Sequence, residues 1–375
     1  MDKRQINLRR ILGLLKHFAF LVPTVFAVLL YALLPRFPGF AETVVSRRVF
    51  KVISTPVGFL TSLLPLSLTE ALAVLGIPAV LVLAALFILS LVRSKNRVRT
   101  SLRATKAVCW TLSLAMLFYM LLHGNNYYRR PVTEIMGLDT SQKSAEQLLE
   151  LCIELAKRAS SERQKLKEDC NGTAILSQSL FKTLSMAGEG YKKLNKDYPF
   201  LWGAVNRAKP VVLSRWWSYT GISGMYFPFT VEANVNTDQP DFDIPSSAAH
   251  EIAHTRGFAR EDECNFFACL SCLASHSADY RYSGALMAYV YCSNALYSYD
   301  SEMWAVAHQH LSDGVKRDIA ERGRYWKQFE GEVQKAAEKV NDKFIQSQGV
   351  EDGILSYNRV VELLLAYHQK EGLPE

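Results

Sequence analysis

The segment His250-Glu251-Ile252-Ala253-His254 combines residue types and spacing that could do chemistry. On a helix, residues four apart share a face, with Cβ atoms about 5–6 Å apart. Two imidazoles placed so can converge on one zinc ion at about 2.0–2.1 Å each. Glu251 stands one residue along, offset from that pair. Its carboxylate can reach a water beside the metal without displacing it, the position a general base needs. The chemistry expected is hydrolysis of an amide by metal-activated water, with Zn2+ as cofactor and Glu251 as the base. The blander reading is a surface helix with two ordinary histidines. The flanks support a helix of the first kind: Pro245 suits an opening turn, and Gly257, three residues after His254, suits a C-cap or tight turn.

A catalytic zinc takes three protein ligands and keeps one position open. Glu261, Asp262 and Glu263 stand just downstream. A metzincin would need histidine at position 260, where Arg260 stands. The run Glu261-Asp262-Glu263-Cys264-Asn265-Phe266-Phe267-Ala268 resembles the E-x-E-A-[DN]-x-x-A helix of gluzincin peptidases. That resemblance implies Glu263 as the third ligand and Asn265 as the outer partner that orients a zinc histidine. Cys264 replaces the usual alanine, and the link from His254 is much shorter than in most gluzincins. Glu261 therefore stays open as the alternative ligand. An ordinary charged first helical turn accounts well for Glu261 and Asp262. For an oxyanion stabiliser, Tyr226, His276, Arg281 and Tyr282 qualify by type, and spacing selects none of them.

These residues need a scaffold. The chain has 375 residues, 49% of them hydrophobic, with three apolar blocks in the first third. The blocks run from about 17 to 34, 71 to 92 and 107 to 122. The second is long enough to span a bilayer; the third is shorter. Lys3, Arg4, Arg9, Arg10 and Lys16 precede the first, and no small-x-small cleavage site follows it, so it reads as a retained membrane helix. Residues 37 to 69 read as an interfacial or re-entrant stretch. The net charge of +7 is concentrated in Arg93, Lys95, Arg97, Arg99, Arg103 and Lys106, between two apolar blocks. That placement marks a cytoplasmic loop. No base-stacking or groove-reading pattern accompanies it, so no nucleic-acid partner is expected. The expectation is a multi-pass cell-membrane protein: a membrane anchor of about three helices over residues 1–123, its N-terminus cytoplasmic, and an extracytoplasmic domain over 124–375.

That domain is expected to be mainly α (α+β), with a small sheet. Ser144 and Gln147 form a capping box ahead of Leu148, Cys152 and Leu155. Trp326, Phe329, Val333, Ala337, Val340 and Phe344 recur at spacings of three and four, a stripe read as facing the core. A further helix is expected over residues 357–369. Thr230 to Asn236 alternates in polarity, as a half-buried strand does, and is assigned as the edge strand beside the site. Cys269 and Cys272 read as buried thiols, and Cys152 and Cys170 as a possible disulfide.

Beyond these pieces, the chain resembles a bacterial membrane-protein family, domain of unknown function 3810. The resemblance rests on residues 126–129, 221–230, 250–267, 282–284 and 357–361. It implies a zincin-like domain behind membrane helices and implies no substrate. The function expected is a membrane-anchored zinc metallopeptidase acting on a peptide or protein near the lipid bilayer. A non-catalytic zinc scaffold and a zinc amidase acting on cell-wall peptides are the alternatives. Intramembrane proteolysis is disfavoured, because Asp241, Asp243, Arg256 and Arg260 make the motif segment too polar to span.

Overall fold

The structure is a computed structural model that describes residues 18–141, 144–350 and 359–374. The basic residues from Lys3 to Lys16, His17, Tyr357 and Asn358 lie outside the described residues. The chain is mainly helical with two small sheets.

The apolar blocks fold as helices. Leu68–Arg93 (α3) and Arg97–Leu122 (α4) have 26 residues each. At 1.5 Å per residue each is about 39 Å long, more than the roughly 30 Å of a hydrocarbon core. Ser67 and Asn96 cap them by accepting from Glu70 N and Arg99 N. The first block gives a shorter helix, Leu21–Leu33 (α1). With the helical stretch from Pro38 to Ser62 it forms a pair bent by 112°. Among the described residues, two helices are therefore long and apolar enough to cross a membrane, or three if the bent pair is one span.

The re-entrant form, one of the two expected for residues 37 to 69, agrees with this bend, which is that of a broken span or a re-entrant loop. A wide turn of helix, Ala41–Val49, leads into Phe50–Ser62 (α2), and both pack on the following domain. Glu42 accepts from Arg129 Nε at 2.6 Å and Nη2 at 2.9 Å. Lys51 donates to the carbonyls of Trp202 and Arg256. Arg47 also pairs with Glu42, and Arg48 is exposed.

In the domain, Ala145–Arg163 (α5) opens with the expected capping box between Ser144 and Gln147. Lys167–Glu168 (β1) and Ala174–Ile175 (β2) form a short ribbon. The second sheet has the order β3-β5-β4, from Lys209–Val211 (β3), Gly224–Phe227 (β4) and Glu232–Asn236 (β5). β5 pairs parallel with β3 and antiparallel with β4. The edge assignment made from sequence is therefore corrected: β5 is central and wholly buried, and β3 and β4 are the edges. The polar side of β5 is covered by the start of α3. Glu232 accepts from Leu68 N and Thr69 N and pairs with buried Lys209, while Ser67 donates to Asn234.

Ile244–Thr255 (α6), Glu261–Leu273 (α7) and Ala278–Tyr299 (α8) pack together above this sheet. Ser246 N donates to Ser283 Oγ, which ties the start of α6 to α8. The stripe from Trp326 to Phe344 is also corrected. It divides between Asp313–Lys327 (α9) and Glu332–Ser347 (α10). Phe329, between them, is buried, but Val333, Val340 and Phe344 are exposed. The last helix is Val360–Glu371 (α11). All seven cysteines are free; Cys269 and Cys272 are buried, and Cys152 and Cys170 form no disulfide.

Candidate metal centre

α6 carries the motif as the spacing predicted. Pro245 sits in its first turn, and the chain leaves it through Gly257 at φ +90. That backbone region is strained for any side chain. A Cβ at Gly257 would also stand 3.0 Å from the Phe50 ring. Arg129 Nη1 donates to the Gly257 carbonyl at 2.6 Å. The Glu42–Arg129 pair therefore braces the turn that directs α7 back toward α6.

Each imidazole has its Nδ1 committed. His250 Nδ1 lies 2.7 Å from Asn265 Oδ1, and His254 Nδ1 lies 2.9 Å from the Phe258 carbonyl. Both acceptors select the tautomer with the proton on Nδ1 and a lone pair on Nε2. The two Nε2 atoms turn toward one carboxylate, that of Glu261. His250 Nε2 is 3.1 Å from Oε2, and His254 Nε2 is 3.7 Å from Oε1. One donor atom from each residue lies within 4.8 Å of the others, so the three could hold a metal ion. Bonds of about 2.1 Å at the tetrahedral angle put neighbouring donors about 3.4 Å apart. Each histidine's separation, to a different oxygen of Glu261, is close to that length, and two imidazoles with a carboxylate are a donor set that zinc accepts.

Glu261, rather than the expected Glu263, faces the histidines. Glu263 Oε1 accepts from Val132 N at 2.9 Å and from Arg260 Nη1 at 3.3 Å, away from the pair. Asn265 stands where it was expected. The two placements share one cause. Glu261 and Asn265 are four apart and share a helical face, whereas Glu263 is about 200° round from Glu261. Asn265 as the partner of His250 already implied Glu261.

Glu251 is buried, with its Oε2 unpartnered. Burial pushes its pKa up to about 8, against the pull of the His250 charge. For His250, burial is outweighed by the hydrogen bond and charge of Glu261, and its pKa rises to about 9. Burial holds His254 down at about 4 despite Glu261. Glu261 falls to about 2, because the two histidines overcome its own burial. These directions describe the site without metal: a proton on His250 beside an ionised Glu261. β4 closes one side so tightly that a Cβ at Gly224 would meet Glu251 Oε1 at 2.5 Å.

Of the candidate oxyanion stabilisers, Tyr226 alone adjoins the site. Its ring stacks on His254 at 5.9 Å, and its hydroxyl donates to the Leu122 carbonyl. Tyr282 is bonded to Asp318, and Arg281 to Glu162 and to the carbonyls of Ser275 and His276. Sequence reasoning passed over His123. It follows the last residue of α4, is buried, and places its ring 6.0 Å from His254 and 5.6 Å from Tyr226. Its Nδ1 has no hydrogen-bond partner. The available signal was an ionisable residue directly at the end of an apolar span.

No curated protein and no solved structure matches the chain. The family model described as Protein of unknown function (DUF3810) matches residues 45–365, from the wide turn of helix Ala41–Val49 through α3, α4 and the His250, His254 and Glu261 group into α11, and the chain belongs to that family.

Proposed function

We propose that this protein is a membrane-anchored zinc metallopeptidase. The observation that carries the reading is the convergence of His250 Nε2, His254 Nε2 and the Glu261 carboxylate, each imidazole held by an acceptor on Nδ1. Bound zinc would lower the pKa of a water and polarise the scissile carbonyl. Glu251, with one buried oxygen free, takes a proton from that water and passes it to the leaving amine. β4 is an outer strand of its sheet and its Gly224 faces Glu251, so an extended peptide adding to β4 by backbone hydrogen bonds would lie beside the site. The domain stands at the end of α3 and α4 opposite the basic Ser94–Asn96 turn, which matches an extracytoplasmic domain by the positive-inside rule. The substrate class is then an extracytoplasmic peptide or protein.

The test is zinc content of the full-length protein in detergent, because residues 38–70 pack into the domain. One tightly bound zinc is expected in the parent, in Glu251→Gln and in Glu263→Ala, and none in Glu261→Ala. Cleavage of a quenched fluorescent peptide library should then vanish in Glu251→Gln. A folded parent without zinc sinks the reading. Zinc without any Glu251-dependent cleavage leaves a zinc-binding scaffold.

A further inference from the structure

α10 has an apolar stripe that the described residues leave exposed. Val333, Val340 and Phe344 are 59%, 70% and 40% exposed. With Ala337 they recur at spacings of four, three and four, one side of a helix. Lys335, Lys339 and Lys343 recur every four residues, from opposite the stripe at Lys335 round to its flank at Lys343. The helix meets the protein elsewhere. Ile345 is buried, Gln334 lies against Gly221, and the Ser347 carbonyl accepts from the Tyr31 hydroxyl at 3.2 Å.

The last contact fixes a height. Thr24 Oγ1 donates to Ser113 Oγ at 2.7 Å, so these residues are level on α1 and α4. Tyr31 is seven residues further along α1, about 10 Å, and Leu122 nine further along α4, about 14 Å. The Tyr31 ring meets that of Tyr128, just past α4, at 6.1 Å, so both helices run toward the domain. The end of α10 is thus tied near the level where the apolar stretch of α4 stops. A second element meets the same end of the hairpin. Val212 N and Leu213 N donate to Glu70, in the first turn of α3, and the adjoining helix Ser214–Tyr219 carries Trp216, 68% exposed. Amphipathic helices and tryptophans settle at this boundary between hydrocarbon and water.

We propose that α10 lies in the interface of a lipid bilayer, with Val333, Val340 and Phe344 at the acyl boundary and the three lysines toward the headgroups and water. Glu332, Glu338 and Asp342 balance the lysines, so the seating depends on apolar burial and needs no anionic lipid. One consequence rests on the peptidase reading. β4 begins three residues after Gly221, beside α10, so this outer strand lies near the membrane surface. A substrate then reaches it as an extended segment next to its own bilayer anchor.

The test uses full-length protein with Cys109→Ala and Cys170→Ser, in phosphatidylcholine nanodiscs holding one molecule each. A nitroxide is attached at Val340→Cys, Phe344→Cys or Lys339→Cys. Power-saturation electron paramagnetic resonance then compares relaxation by oxygen with relaxation by a water-soluble nickel chelate. Oxygen should dominate severalfold at 340 and 344, and nickel at 339. Nickel dominance at all three positions overturns the proposal. So does protection from both reagents at 340, which would mean a protein contact. The readout needs neither zinc nor cleavage, so it stands or falls apart from the peptidase reading.

Discussion

Replacing Asn265 by alanine tests whether one hydrogen bond aims His250 at the metal. The acceptor, Asn265 Oδ1, is 2.7 Å from His250 Nδ1, and Asn265 is 2% exposed. Without it, the Nδ1 proton faces a buried wall with no replacement acceptor. An unpaired buried donor costs about 1–3 kcal/mol. Losing an outer partner of a metal-binding histidine lowers affinity about 10–100-fold, or roughly 1.4–2.7 kcal/mol. The two routes give the same range; in the metal-free protein the ring keeps its contact with Glu261, so zinc affinity is the quantity that reads the loss. Asn265→Asp keeps an acceptor in place. It also gives up an amide nitrogen that has no partner, so it should hold affinity within severalfold of the parent. The assay is competition for zinc against a chromogenic chelator at neutral pH, with full-length protein in detergent. An alanine variant with parental affinity, or an aspartate variant as weak as alanine, refutes the reasoning.

Three more expectations follow from the same geometry. His250 without metal has its pKa raised to about 9, above the roughly 6.5 of an unfolded histidine. Its contribution to the stability of the metal-free protein is therefore complete below about pH 6.5 and lost as pH rises through about 9. Zinc must displace that proton, so affinity should climb about tenfold per pH unit from about 7 to 9 and then flatten. Calorimetry in two buffers of different ionisation heat would show the proton released, and a flat profile would contradict the assignment. Gly224→Ala puts a Cβ 2.5 Å from Glu251 Oε1 and 2.7 Å from its Cγ. The carboxylate must move by about 1 Å, which should cost roughly 100-fold in turnover while zinc content stays parental. Normal turnover would mean that Glu251 is not the base. Arg129→Ala leaves Glu42 buried and the Gly257 carbonyl without its donor. Arg47 still pairs with Glu42, so the loss should be about 1–3 kcal/mol, that of a buried acceptor left unsatisfied, read as a lower thermal midpoint in detergent.

The sequence by itself determined what depends on backbone period and local chemistry. The four-residue spacing of His250 and His254, with Pro245 before and Gly257 after, is enough to define a helix carrying two imidazoles on one face and a turn beyond it. The apolar run over residues 71–92 is long enough to define a bilayer-length helix, and Ser144 with Gln147 defines a helix start. These features survive in the structure because each is settled within a few residues. The tertiary structure decided what each face meets. Alternation in β5 is real, yet Glu232 and Asn234 face the start of α3 rather than water, and β3 and β4 pair on either side, so the strand is central and buried. The stripe from Val333 to Phe344 is real, yet the core does not cover it. Glu261 becomes the third candidate ligand because the turn at Gly257, braced from Arg129 and Phe50, brings that face of α7 onto α6. His123 joins the site because α4 ends beside His254. A period states which way a side chain points. Only packing between segments distant in the chain states what stands there to receive it.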